Sequence, residues 1–336
     1  MSEPLIVAED LEVHFPVRGG VFQRQIGTVK AVAGVNLAIN RGETVGLVGE
    51  SGCGKSTLGR ALVRLLEPTS GTITFDGQDM TSVSGSNLKT FRRRVQIVFQ
   101  DPYSSLDPRT QIGNSIAEGL RLHGMKDKDQ RDARVNEMLE LVGMPKSAAQ
   151  RYPHEFSGGQ RQRVGLARAL VLKPDFVVAD EPVSALDVSV QAQVLNLLKE
   201  LQSELELTLL FVAHNLAVVE HMSDRVAVMY LGRVAEISDR EALYRNPLHP
   251  YTEALLSAIP MPDPDRPRNR QILQGEVPSP IDPPEGCYFH PRCPIAVVGV
   301  CDTDVPTLLP APAGDADHLA ACHVRTGELA SPRTIT

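Results

Sequence analysis

Gly49-Glu50-Ser51-Gly52-Cys53-Gly54-Lys55-Ser56-Thr57 fits the phosphate-binding pattern G-x-x-x-x-G-K-S/T. An apolar run, Thr44 to Val48, leads into it, and a helix-compatible run, Leu58 to Leu66, follows. The pattern alone also arises by chance; the strand–loop–helix setting is what makes it a nucleotide loop. Its glycines let successive backbone N–H groups turn inward around phosphate oxygens. The helix N-terminus adds partial positive charge. Lys55 is placed to reach the β- and γ-phosphates, and the Ser56 hydroxyl to bind Mg²⁺.

Composition sets the frame around this loop. The 336 residues suffice for one large domain with an appendage, or for two domains, and 42% apolar content allows a sizeable core. A net charge of −7 argues against broad nucleic-acid binding. The run Arg92-Arg93-Arg94 is too short to change that and reads as a solvated helix face. Met1 to Asp10 lacks a basic segment followed by an apolar block. No apolar run approaches the ~18 residues of a membrane span. The expectation is a cytoplasmic chain whose membrane association goes through a partner. Four of the five cysteines lie beyond residue 285. In a reducing cytosol that clustering suggests a metal site more than disulfides.

Leu5 to Phe15, Val35 to Ile39 and Thr72 to Phe75 have strand character and predict an antiparallel edge sheet. Phe176 to Ala179 and Leu209 to Ala213 are apolar runs of strand length separated by helical patterns, notably Val188 to Leu205. A buried parallel sheet with crossover helices follows. Residues 112–170 are mostly helical in pattern, with apolar spacing near 3.6 over Ala133 to Val142. Pro260 to Pro312 holds 13 of the 25 prolines, which excludes long helices and central strands and predicts a separate, irregular tail. No internal repeat is visible.

The strand Phe176-Val177-Val178-Ala179 ends in Asp180-Glu181. An acid at such a strand end sits beside the phosphate loop of a parallel sheet. Asp180 is expected to hold Mg²⁺, usually through water, and Glu181 to polarise the attacking water as general base. Upstream, Ser157-Gly158-Gly159-Gln160 opens a Leu/Ala-rich helix 23 residues before Asp180. Ser-Gly-Gly-Gln in that position resembles the signature of ABC-type ATPases. In that family the signature contacts ATP held by the opposite subunit, which implies a head-to-tail dimer.

Further positions match the same family. Gln100 resembles the glutamine that contacts Mg²⁺ and the attacking water. Ser184-Ala185-Leu186-Asp187 resembles the loop that communicates between two ATP sites, and His214 the histidine that contacts the γ-phosphate. The resemblance covers roughly residues 5 to 255. It implies an α/β fold of the P-loop NTPase ABC type, with a mixed sheet core, an antiparallel edge sheet and a helical subdomain at about 101–170. The family stacks adenine on an N-terminal aromatic ring. Phe15 is the candidate here, but a longer segment, Pro16 to Val29, follows it and contains Phe22. Either ring could stack, or both could be core.

Phe99-Gln100-Asp101-Pro102-Tyr103-Ser104-Ser105-Leu106-Asp107-Pro108-Arg109 resembles the ATP-binding subunits of dipeptide/oligopeptide importers. So do Tyr244 to Thr252 and the tail segment Gly286 to Pro294. Within that family the chain is most similar to the OppF/DppF type of subunit. The resemblance implies a paralogous ATPase as heterodimer partner, two membrane permeases above the pair, and an extracytoplasmic peptide-binding protein. It also implies a place at the cytoplasmic face of the inner membrane. Other cargoes remain open: a metal chelate, an opine or a sugar oligomer. A soluble ABC ATPase of translation or DNA repair usually carries two cassettes or a long coiled-coil insertion, and this chain has neither.

Two cysteine readings complete the expectations. Cys287, Cys293, Cys301 and Cys322, spaced C-x5-C-x7-C-x20-C, suit either Zn²⁺ or a [4Fe–4S] cluster. Some members of the resembled family carry the cluster, which tilts the reading toward it. Cys53, inside the phosphate loop at a helix N-terminus, is placed for a lowered thiol pKa. Alkylation there is expected to block ATPase activity, and ATP to slow the labelling. Residues 1–259 are expected to form the ATPase domain and 260–336 the extension.

Overall fold

The structure, a computed structural model, describes residues 3–19, 24–101, 105–259, 273–312 and 315–327. Phe22 and residues 102–104 lie outside these. Strands β1 (Pro4–Gly19) and β2 (Arg24–Asn40) pair antiparallel from Pro4 opposite Asn40 to Gly19 opposite Arg24. Most of the segment after Phe15 is therefore strand. β3 (Thr44–Val48) enters the phosphate loop and α1 (Lys55–Leu62) leaves it. Next come β4 (Ser70–Phe75), β5 (Gln78–Asp79), α2 (Gly85–Arg94) and β6 (Val95–Val98). The helices α3 (Ile112–Leu122), α4 (Lys128–Leu141) and α5 (Gly158–Leu170) follow. β7 (Phe176–Asp180), α6 (Val188–Glu204), β8 (Thr208–Val212), α7 (Leu216–Met222), β9 (Arg225–Tyr230) and β10 (Arg233–Asp239) complete the main sheet's body. After α8 (Arg240–Arg245) and α9 (Pro250–Ser257), the extension adds β11 (Leu309–Pro310) and β12 (Leu319–Ala320).

Two sheets result. One is antiparallel, in the order β2-β1-β4-β5; the other is mixed, β11-β12-β10-β9-β3-β8-β7-β6. Strands β9, β3, β8, β7 and β6 run parallel. Their apolar runs serve both faces by alternation. Phe176 and Val178 join the core shared with β1 and β2; Val177 and Ala179 join the core shared with α3 to α6. A strand covered on both sides has no solvent face, so it carries no polar positions between the apolar ones.

The parallel register aligns four carboxyl ends. Leu47 lies opposite Val212, Val212 opposite Asp180, and Ala179 opposite Val98. Asp180 ends β7 and Glu181 follows it, the phosphate loop follows β3, and His214 and Gln100 come two residues after β8 and β6 end. Ligands of open α/β sheets bind beyond such strand ends.

The described part of the extension docks on this body. β12 pairs with β10, with Ala320 opposite Glu236. Phe289 is 2% exposed and meets Tyr230, Tyr251 and His249 at ring distances of 5.3, 5.5 and 5.4 Å. The Glu236 carboxylate is fully buried. It accepts hydrogen bonds from the Leu248 and His249 amides at 2.8 and 2.9 Å and pairs with His318 Nε2 at 2.6 Å. A buried carboxylate needs such a complete partner set.

Candidate ATP-hydrolysis site

The loop is built for close backbone packing. Gly54 has φ 106°, and a Cβ there would lie 2.0 Å from the Ala31 carbonyl oxygen. Only glycine fits both constraints. Lys55 is buried, and its ammonium donates to the carbonyls of Gly49 and Glu50 at 2.8 and 3.0 Å. It is thus held across the loop mouth. Ser51 and Gly52 are exposed at the loop tip, and Thr57 is half-buried on α1 behind Ser56.

Ser56 Oγ donates to Asp180 Oδ1 at 2.7 Å. Asp180 is fully buried, and among the described residues its Oδ2 accepts no hydrogen bond; Arg60 Nη2 is 3.6 Å away. Burial pushes the Asp180 carboxyl up, opposed by the Ser56 hydrogen bond and by Arg60. A hydroxyl and a carboxylate with a spare, desolvated oxygen suit a hard cation such as Mg²⁺. These residues therefore fit the ion that an ATP site needs.

Glu181 turns the chain sharply out of β7. Its φ is +45°, uncommon for a residue with a Cβ, and its N–H is tied to the Val212 carbonyl at 2.9 Å. Strained backbone of this kind concentrates at functional sites. Glu181 Oε2 accepts from Gln100 Nε2 at 2.9 Å and lies 3.4 Å from His214 Nδ1. Two side chains, from the strand ends on either side of β7, thus converge on one carboxylate oxygen. Gln100 and His214 are exposed, and the Glu181 side chain between them is 15% exposed, so solvent reaches it in part.

Ser157 caps α5 with a reciprocal box. The Gln160 amide donates to Ser157 Oγ at 3.3 Å, and Ser157 N–H donates to Gln160 Oε1 at 3.0 Å. Gly159 packs against α6, where a Cβ would meet Val190 at 2.4 Å, and Gly158 packs against Leu186. The signature turn and the loop ending in Asp187 therefore form one surface. Ser157, Gln160, Asp187 and Val188 are exposed on it.

Two expectations change. Cys53 is only 4% exposed, and burial raises its thiol pKa despite the neighbouring Lys55. Desolvation outweighs the helix N-terminus. The tail thiols Cys287, Cys293, Cys301 and Cys322 are free. The other three raise the pKa of Cys287 further, but burial comes first, and it takes Cys287 and Cys293 to about 11. Among the described residues no three His, Cys, Asp or Glu side chains are arranged to hold a metal ion. The expected cluster therefore has no preformed site in this arrangement.

Phe15 is 38% exposed on β1, opposite Val29. Two contacts to the loop were not legible in sequence: Tyr251 Oη accepts from the Glu50 amide at 2.8 Å, and Arg292 grips the Glu50 carboxylate. These partners lie 201 and 242 residues away, and no local pattern signals them.

Comparison with known proteins agrees with this geometry. The sequence pattern of the ABC transporter family matches residues 32–184, and that of the oligopeptide/dipeptide transporter C-terminal region matches 235–301. The chain is 51% identical to the oligopeptide transport ATP-binding protein AppF of Bacillus subtilis, over 96% of this chain and 98% of that protein. The chain belongs to the ABC transporter ATP-binding family.

This ABC ATPase is also 53% identical to a Sinorhizobium fredii protein, over 97% of this chain and 91% of that one. The latter is named as a probable peptide ABC transporter ATP-binding protein. Among solved structures it resembles the dimeric ATP-binding cassette MJ0796 bound to ADP and Pi. The TM-score is 0.62 at 28% identity, covering 70% of this chain and 98% of that one. CbiO1 of Clostridium perfringens, part of an ABC transporter complex, gives the same TM-score at 29% identity, covering 73% and 92%. Among the described residues no helix is long and apolar enough to cross a membrane.

Proposed function

We propose that this ABC ATPase powers a bacterial importer of dipeptides or oligopeptides. The observation that carries the chemistry is the convergence of Gln100 and His214 on Glu181, the residue directly after the Asp180 that Ser56 bonds. The peptide cargo is supported by the relatives and by the match of the C-terminal region.

In this reading residues Gly49 to Thr57 cradle the triphosphate, and Lys55 exchanges its two loop carbonyls for β- and γ-phosphate oxygens. Ser56 and Asp180 would hold Mg²⁺, which offsets charge on the phosphates when bound. Glu181 takes a proton from the attacking water. Gln100 fixes the carboxylate's direction, and His214 contacts the γ-phosphate. Ser157 to Gln160 and Asp187 close on ATP held by a paralogous ATPase, and Phe15 stacks on adenine. Closure of that pair is passed to two membrane permeases, fed by an extracytoplasmic binding protein.

Residues 1–259 act as the ATPase domain and 260–336 as the extension. A [4Fe–4S] cluster or Zn²⁺ in the extension would require its four thiols to close from this arrangement and lose their protons. The test is uptake of a labelled oligopeptide by cells carrying Lys55→Ala in place of the native chain. Uptake should fall to background; uptake at the native rate would overturn the proposal.

A further inference from the structure

A phosphate-binding loop gains nothing from a carboxylate of its own, yet Glu50 stands second in this one. Negative charge beside the site repels the nucleotide's phosphates. The structure shows what offsets it. Arg292 Nη1 donates to Glu50 Oε2 at 2.8 Å, and Nη2 donates to Oε1 at 3.1 Å. This is the two-point fork that only arginine supplies. The Arg292 side chain is 7% exposed and that of Glu50 29%, so solvent screens the pair only in part. Tyr230 Oη, 3.5 Å from Arg292 Nη1, backs the fork, and the Tyr230 ring packs edge-on against Tyr251 and Phe289. Tyr251 in turn holds the Glu50 amide. Both the charge and the backbone of Glu50 are therefore set by residues from β9, α9 and the extension.

We propose that Arg292 is a positioning residue of the ATP site, supplied by the extension, which neutralises Glu50 so that the loop accepts a triphosphate. The extension is then part of the nucleotide site, beyond any contact it makes with partner subunits. Arg292 closes the short turn His290–Arg292, whose His290 and Cys293 amides bond to the Cys287 and His290 carbonyls. Any rearrangement of Cys287 or Cys293 moves the fork. By linkage, ATP binding and the order of this turn favour each other. The inference rests on the reading of residues 49–57 as the nucleotide loop.

The test is equilibrium binding of a fluorescent ATP analogue to the full-length chain and its variants, with turnover measured in parallel. Arg292→Ala should weaken binding about tenfold, as one uncompensated charge near a triphosphate does. The maximal rate per bound nucleotide should hold, because Glu181, Gln100 and His214 are untouched. The double variant Glu50→Gln with Arg292→Ala should return to within about twofold of the native affinity, since the charge to be offset is gone. A structural role alone predicts no such rescue. Native affinity in Arg292→Ala, or a double variant as weak as Arg292→Ala, overturns the proposal. Native affinity in Lys55→Ala would instead overturn the loop reading, and the inference with it.

Discussion

Replacing Glu181 by glutamine removes one negative charge and the ability to take a proton, and changes little else. The side chain keeps its length, and its carbonyl oxygen can still accept from Gln100 Nε2, now 2.9 Å from the carboxylate. The backbone stays tied to Val212. Neither Lys55 nor the Ser56–Asp180 pair touches the altered atoms. Loss of a positioned general base costs about 10²- to 10⁴-fold in rate, or roughly 3–5 kcal/mol at 1.36 kcal/mol per decade. ATP affinity should hold or tighten, because a like charge has left the γ-phosphate. Phosphate release from the assembled complex gives the first quantity, and equilibrium ATP binding the second. Turnover within about tenfold of native would refute the base assignment. A matching loss of affinity would show that Glu181 serves binding and not the chemical step.

Three other outcomes follow from burial. Phe289→Ala removes a ring packed on Tyr230, Tyr251 and His249 and should cost about 3–5 kcal/mol by chemical denaturation; a cost below about 1 kcal/mol would mean the extension is not docked. His249 is held at about 4 against an ordinary 6.5, because burial disfavours its charged form, and its Nδ1 accepts from the Tyr251 amide. The unfolded chain therefore binds the proton first, and stability should fall by roughly 3 kcal/mol as pH drops from 7 toward 4, a slope that His249→Asn flattens. Cys53, buried with a raised thiol pKa, should react with iodoacetamide far more slowly than an exposed cysteine; equal rates would contradict its placement.

The parts legible in sequence were those where chemistry is local. The phosphate loop, the apolar strand ending in Asp180-Glu181 and the capping pair Ser157 and Gln160 each carry their cause within a few residues. Helix α4 began earlier than its apolar spacing suggested. Lys128 to Asp132 is polar on every face, and the start is set by the Asp127 side chain accepting from the Gln130 amide. The β1–β2 ladder ran on past Phe15 because strand pairing satisfies backbone groups whatever the side chains, and Arg24 to Lys30 offers no apolar alternation. β9 went unread although Val226 to Tyr230 is a buried apolar run of strand length; what no local pattern gives is the place of β9 and β10 in the sheet order. The Glu50–Arg292 fork was hidden for the same reason: charge pairing across 242 residues leaves no mark on either neighbourhood. Burial also reversed one local inference, since the helix N-terminus at Cys53 loses to desolvation.

The most direct test of the central claim is to tag Glu181→Gln, trap it with ATP in native membranes and identify what co-purifies. The account predicts two multi-span permeases and a second ATPase. Recovery in the soluble fraction with ribosomes or DNA, and no permease, would contradict it.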